Sequence, residues 1–132
     1  MIHHDLRTRL LSDTDITDLV GTRIVPLNDL QSSPYPKIVY RLVTEQPDYS
    51  AEGNTGPTES TIEFTSQAES YDTAKLIDVL IAELLDAFSG IIGSTHIQGI
   101  FTENVSDDSY SVGEGSDSYI YTVTRQLKVT YE

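Results

Sequence analysis

The chain has 132 residues, 38% of them hydrophobic, with a formal net charge of -13 and a pI near 4.3. That length suits one domain with a core of its own, and the patterned Leu, Ile and Val runs speak against a disordered chain. With no cysteine there is no disulfide framework or thiolate metal site, and so strong an acidic excess disfavours binding to nucleic acid phosphates or anionic membranes.

No apolar run approaches the roughly 20 residues a membrane span requires. The first residues, Met1-Ile2-His3-His4-Asp5, lack the basic-then-apolar layout of a signal peptide. Leu6, Leu10 and Leu11, then Ile16, Leu19 and Val20, repeat at helical spacing. Ser12-Asp13-Thr14-Asp15 interrupts them with capping residues, so a helix, a break and a short second helical turn are expected, closed by Gly21. Thr22 to Pro26 is short and extended. Residues 28–36 read as loop, because Pro34 and Pro36 block helix.

Residues 37–46 alternate, with Ile38, Tyr40 and Leu42 on one face, which predicts a strand. Residues 47–57 hold glycines and Asn54 between two prolines and read as a turn-rich connector. Alternation resumes over 58–67, with Ile62 and Phe64 inward, so the two strands form a hairpin with a long tip. Ser70 then caps a second main helix. Its apolar stripe is Ala74, Ile77, Leu80, Ile81, Leu84, Leu85 and Phe88, with Lys75, Asp78 and Glu83 on the other side.

A third strand is expected over 96–103 and a second long, acidic loop over 104–117. The last strand, 118–131, separates Tyr119, Tyr121, Val123, Arg125, Leu127, Val129 and Tyr131 from a mostly polar opposite face. The order helix-strand-strand-helix-strand-strand predicts an α+β domain spanning 1–132. Its expected form is a four-stranded antiparallel sheet with two main helices packed on one face.

Chemistry-bearing patterns are sparse. His3 and His4 are adjacent and share no helix face, His96 opens a strand, and no metal-binding His pair exists. The acidic loop lacks the spacing of a calcium loop. Gly113 and Gly115 are followed by neither a Lys nor a helix, so they form no phosphate cradle. No nucleophile elbow or fixed carboxylate pair is present. Neither a metal nor a cofactor is expected. Of the C-terminal tyrosines, Tyr110 is the one placed in a loop, where an aromatic anchor for a partner would sit.

Four features in this order resemble the tail completion, or tail terminator, proteins of long-tailed phages and prophage elements. They are Leu19-Val20-Gly21 followed by Arg23-Ile24-Val25-Pro26; Pro34-Tyr35-Pro36-Lys37-Ile38-Val39-Tyr40; Ile62-Glu63-Phe64 running into Ser70-Tyr71-Asp72-Thr73-Ala74; and a Tyr-rich last strand ending in Val129-Thr130-Tyr131. The resemblance spans nearly the whole chain. It implies a structural virion protein of the tail and neck, assembled in the host cytoplasm. Six copies would form a ring on the head-proximal end of the tail tube, end tube growth and dock the tail to the head connector. The partners implied are other copies of the chain, the tail tube protein and the head-tail connector protein. DNA would pass through the ring without specific binding, and no membrane, cofactor or catalytic residue is implied.

Within that reading Asp107, Asp108, Tyr110, Glu114 and Asp117 are the candidate interface or lumen residues; the plain alternative is a solvated hairpin tip. Two other functions fit the same features: a different small neck protein, for head-tail joining or head completion, or an acidic protein that mimics DNA for a basic partner.

Overall fold

In the computed structural model, residues 2–26, 35–50, 53–111 and 119–132 are described. The helical start folds as the sequence suggests. α1 (Ile2–Leu11) stops at Ser12, and α2 (Thr14–Val20) begins after Asp13, whose carboxylate accepts the Asp15 N–H at 2.8 Å. Gly21 follows at φ +60, a conformation a side chain would strain. α3 (Tyr71–Leu85) is the longest helix.

The sheet corrects the four-stranded antiparallel expectation. Among the described residues it has six strands in the order β1-β2-β3-β6-β5-β4, is mixed and curled, and is accompanied by three helices. The two additional strands are three residues each: β1 (Ile24–Pro26) lies parallel to β2 (Lys37–Ser50), and β4 (Gly90–Ile92) lies antiparallel to β5 (Thr95–Ser111). Such short strands carry too few alternations to register as a period. β3 (Gly53–Ala68) and β6 (Tyr119–Tyr131) occupy the middle.

Both expected long loops are instead largely strand. β2 and β3 stay paired past Pro47↔Thr58 to Ser50↔Gly53, and β5 and β6 stay paired to Ser111↔Tyr119. Pro47 survives in a strand because its position faces away from β3, where no N–H is needed. Each pair outruns its neighbour in the sheet. β6 ends at Tyr131, opposite Thr58, so β2 and β3 continue beyond it as a two-stranded ribbon. β3 ends at Ala68, opposite Tyr121, so β5 and β6 continue beyond that end. The two ribbons project from opposite ends of the sheet.

All three helices bury their apolar stripes on one face of the sheet. Leu6, Leu10, Ile16, Val20, Ile77, Ile81 and Leu85 meet Ile38, Ile62, Phe64, Ile97, Ile100, Leu127 and Val129 in a single core. Fully burying a Leu or Ile contributes about 1.5–3 kcal/mol, so this layer is the main source of stability. The other face presents Thr65, Thr124, Gln126 and Lys128, and a Thr65–Thr124 hydroxyl contact of 3.1 Å crosses it.

Asp78 departs from its expected place. It is 2% exposed and faces the sheet, where Arg125 meets it through Nε at 3.0 Å and Nη2 at 2.9 Å. Arg125 occupies an inward position of β6, so an acid had to face it from α3.

Candidate functional site

Three of the residues singled out from sequence lie where β5 leaves the body of the sheet, Asp107 and Asp108 beside the last β3-paired residues of β6 and Tyr110 on the ribbon beyond them. Asp107, Asp108 and Tyr110 all lie on β5, whereas Glu114 and Asp117 fall outside the described residues. Strand alternation sends Asp107 toward the helix layer and Asp108 and Tyr110 to the opposite face. The three therefore do not converge.

Asp107 is clamped to α3. Its Oδ2 accepts the Tyr71 hydroxyl at 2.6 Å and its Oδ1 accepts Lys75 Nζ at 2.9 Å. The Tyr71 hydrogen bond, then that of Lys75, holds the Asp107 carboxyl below its usual range. The same bonds raise Lys75 and Tyr71, Asp107 being the largest cause for each. Tyr71 and Lys75 sit one helical turn apart on one flank of α3. That spacing is visible in the sequence; their acid, more than thirty positions away, is not.

On the other face the Tyr110 and Tyr35 hydroxyls meet at 3.0 Å. Burial first, then this bond, pushes the Tyr110 hydroxyl up to about 12. The Tyr35 ring in turn lies 4.7 Å from Nζ of Lys37, which is fully buried at the start of β2. Asp108 is exposed, and its Oδ1 accepts the Ser109 N–H at 2.8 Å.

A second polar group lies at the base of the β2–β3 ribbon. The Tyr131 hydroxyl donates to Glu45 Oε1 at 2.6 Å, and Ser60 Oγ donates to the Tyr131 hydroxyl at 3.3 Å. Partial burial is the main reason the Tyr131 hydroxyl is raised, with Glu45 second. Beside it opens a cleft of about 470 Å³ lined by Ile2, His3, Leu42, Glu45, Thr95 and Tyr131.

The basic residues are all committed within the chain. Of the eight, Arg7, Arg9 and Arg23 donate to backbone carbonyls. Arg41, Lys75, Arg125 and Lys128 pair with Glu63, Asp107, Asp78 and Glu59, and Lys37 is buried beneath Tyr35. The 21 acids thus far outnumber the cations that face them, and the unneutralised surface charge is acidic. Among the described residues no group of three His, Asp or Glu side chains is placed to hold a metal ion. No catalytic pairing of base and nucleophile emerges from these contacts.

Ile91 and Phe101 are the most exposed large apolar side chains, at 71% and 61%. Each alternates with a buried neighbour, Ile92 and Ile100, so both point away from the helix layer. Ile91 lies beside His96 and Phe101 further along β5 beside Lys128, so they are two separate apolar side chains on the β4–β5 side of the open face.

No family model and no curated protein matches the sequence. The fold, however, is similar to that of a chain in the virion of a native gene transfer agent (GTA) particle. The TM-score is 0.60 at 16% identity, and the match covers 95% of this chain and 91% of that one. The likeness therefore extends over most of both chains.

Proposed function

We propose that this protein is a structural component of a phage-like virion, and specifically a tail terminator subunit that forms a ring at the head-proximal end of the tail tube. The observation that carries the reading is the near end-to-end fold likeness to a chain of the GTA virion. The ordered motifs of the sequence point the same way, from Leu19-Val20-Gly21 to Val129-Thr130-Tyr131.

The physical features suit such a role. A ring subunit works by contact, and this chain offers two projecting ribbons, a sheet face on which no described helix packs, and the exposed Ile91 and Phe101. A ring that DNA crosses must not hold it. With all eight cations engaged internally, the chain presents an acidic surplus that repels the duplex. Other copies of the chain, the tail tube protein and the head connector protein are the partners this role requires. Work done by binding needs no cofactor and no reaction.

Electron microscopy of particles assembled without this gene tests the proposal. The expected result is DNA-filled heads beside unattached tails of irregular length. Unattached tails of normal, capped length would assign the chain to head-tail joining instead. Intact infectious particles would remove the virion role and bring the DNA-mimic reading forward.

A further inference from the structure

The outer edges of the sheet differ in a way that bears on binding. Ile100 O accepts the Ala87 N–H at 2.7 Å and Thr102 N donates to Asp86 Oδ1 at 3.0 Å, so both groups of β5 point away from β6. The ladder shifts by one residue between Thr102 and Asn104. Antiparallel alternation then turns the backbone groups of Val105, Asp107 and Ser109 outward as well. Among the described residues no strand pairs with that side of β5, because β4 covers only Thr95–Ile97. Every residue from Glu103 to Tyr110 is exposed.

The β2 edge is blunted by comparison. β1 covers Ile38 to Tyr40, a register shift breaks the spacing between Leu42 and Thr44, and Pro47 removes an outward N–H. The β5 edge from Val105 to Ser109 has no proline, no bulge and no covering strand among the described residues. Val105 and Asp107 present outward donors and acceptors there, while the Ser109 N–H is held by Asp108 Oδ1.

We propose that this edge is a strand-addition site, and that its occupant is an extended, basic segment of a different protein. A second copy is a poor occupant. An antiparallel β5–β5 pair centred on Asp108 sets that exposed acid against its own counterpart, which like-charge repulsion opposes. Pairing it with β2 meets the bulge and Pro47. No copy has an uncommitted cation to offer, since all eight basic side chains are engaged. The edge also dictates a pattern. Residues beside Val105 on the helix side should be apolar, and those beside Asp108 on the open side should be Lys or Arg.

The inference stands on the edge geometry and does not need the ring. Edge binding and the deletion phenotype therefore fail or succeed separately.

The test uses the full chain and a capped nine-residue peptide of alternating Val and Lys, with an alternating Val and Glu peptide as control. Hydrogen exchange at the Val105 and Asp107 amides is read by NMR. The Val–Lys peptide should slow both by at least about tenfold, as formation of backbone hydrogen bonds implies. The Val–Glu peptide should not. Val105→Pro removes an N–H that β6 does not use, so the variant should fold and lose this protection. Asp108→Lys, a surface change, should reverse the preference between the two peptides. The proposal is overturned by unprotected amides, by equal protection from both peptides, or by protection that appears without peptide and grows with protein concentration.

Discussion

The two ribbons share a design and differ in how they are held. The β5–β6 ribbon is braced on both faces, at its base by Asp107 against Tyr71 and Lys75 and further out by Tyr110 against Tyr35. The β2–β3 ribbon is braced at its base, where Tyr131 bonds Glu45 and Ser60, and its outer edge is blunted by a bulge and Pro47. Acidity alone would not separate them. What separates them is whether a carboxylate finds a donor on a packed element, because a hydrogen-bonded acid becomes a clamp and an unmet one remains surface charge.

The largest effect should come from the bond beneath the braced ribbon. Asp78→Ala would leave Arg125 buried without its acid, and loss of one partner of a buried pair costs about 3–5 kcal/mol. Arg125 also donates to Thr102 Oγ1 at 2.9 Å, and Thr102 is held in turn by Asp86, so the damage should spread into β5. Urea unfolding measures the loss. Replacing Asp78 and Arg125 together by Leu and Met should recover most of it, and a double variant no better than the single would show that the cost lies elsewhere.

A smaller, local effect is expected at Asp107. Asp107→Asn should leave the global melting temperature nearly unchanged and speed amide exchange across the β5–β6 ribbon, with the β2–β3 ribbon unaffected. The pH dependence has a definite sign. The folded-state pKa of Asp107 lies below the usual carboxylate range, so its contribution is complete above that range. It fades as pH falls through the lowered pKa. Asn at this position should abolish that acid-side loosening.

At the alkaline end the sign reverses. Tyr110 is raised to about 12, so the neutral hydroxyl favours the fold below the ordinary tyrosine range, and that contribution is lost as pH rises through 12. Absorbance titration should find a late-ionising tyrosine that disappears in Tyr110→Phe. The smallest effect belongs to Lys128, whose pair with Glu59 lies on the open face with both side chains well exposed. Lys128→Ala should not measurably change stability, since exposed pairs are screened by solvent. A clear loss there would mean that the open face is more ordered than its exposure implies.

The sequence makes the helices and strand cores legible because their apolar periods are long. Leu6 to Val20, Ala74 to Leu85 and the alternation from Tyr119 to Tyr131 all carry several repeats, and each element forms close to where its period runs. β1 and β4 escape because three residues give no period. The ribbons read as loops because Pro47, Gly53 and the run Asp107-Asp108-Ser109 have low strand propensity, whereas cross-strand pairing decides their state. The helical pattern alone puts Asp78 on the solvent side, and it departs from that for a related reason. Its partner Arg125 is distant in the chain, and only the pairing of α3 with β6 brings the two together. At the candidate site, Asp107 and Tyr110 were recognisable as notable residues, but Tyr71, Lys75 and Tyr35 depend on tertiary contacts that no local pattern encodes.

The proposed place of this chain is the head-tail junction of a phage-like particle. Antibody labelling of the chain in purified particles, viewed by electron microscopy, tests that place. Label confined to the junction between head and tail tube is expected. Purified particles carrying no label, or label along the tail or over the head, would contradict it.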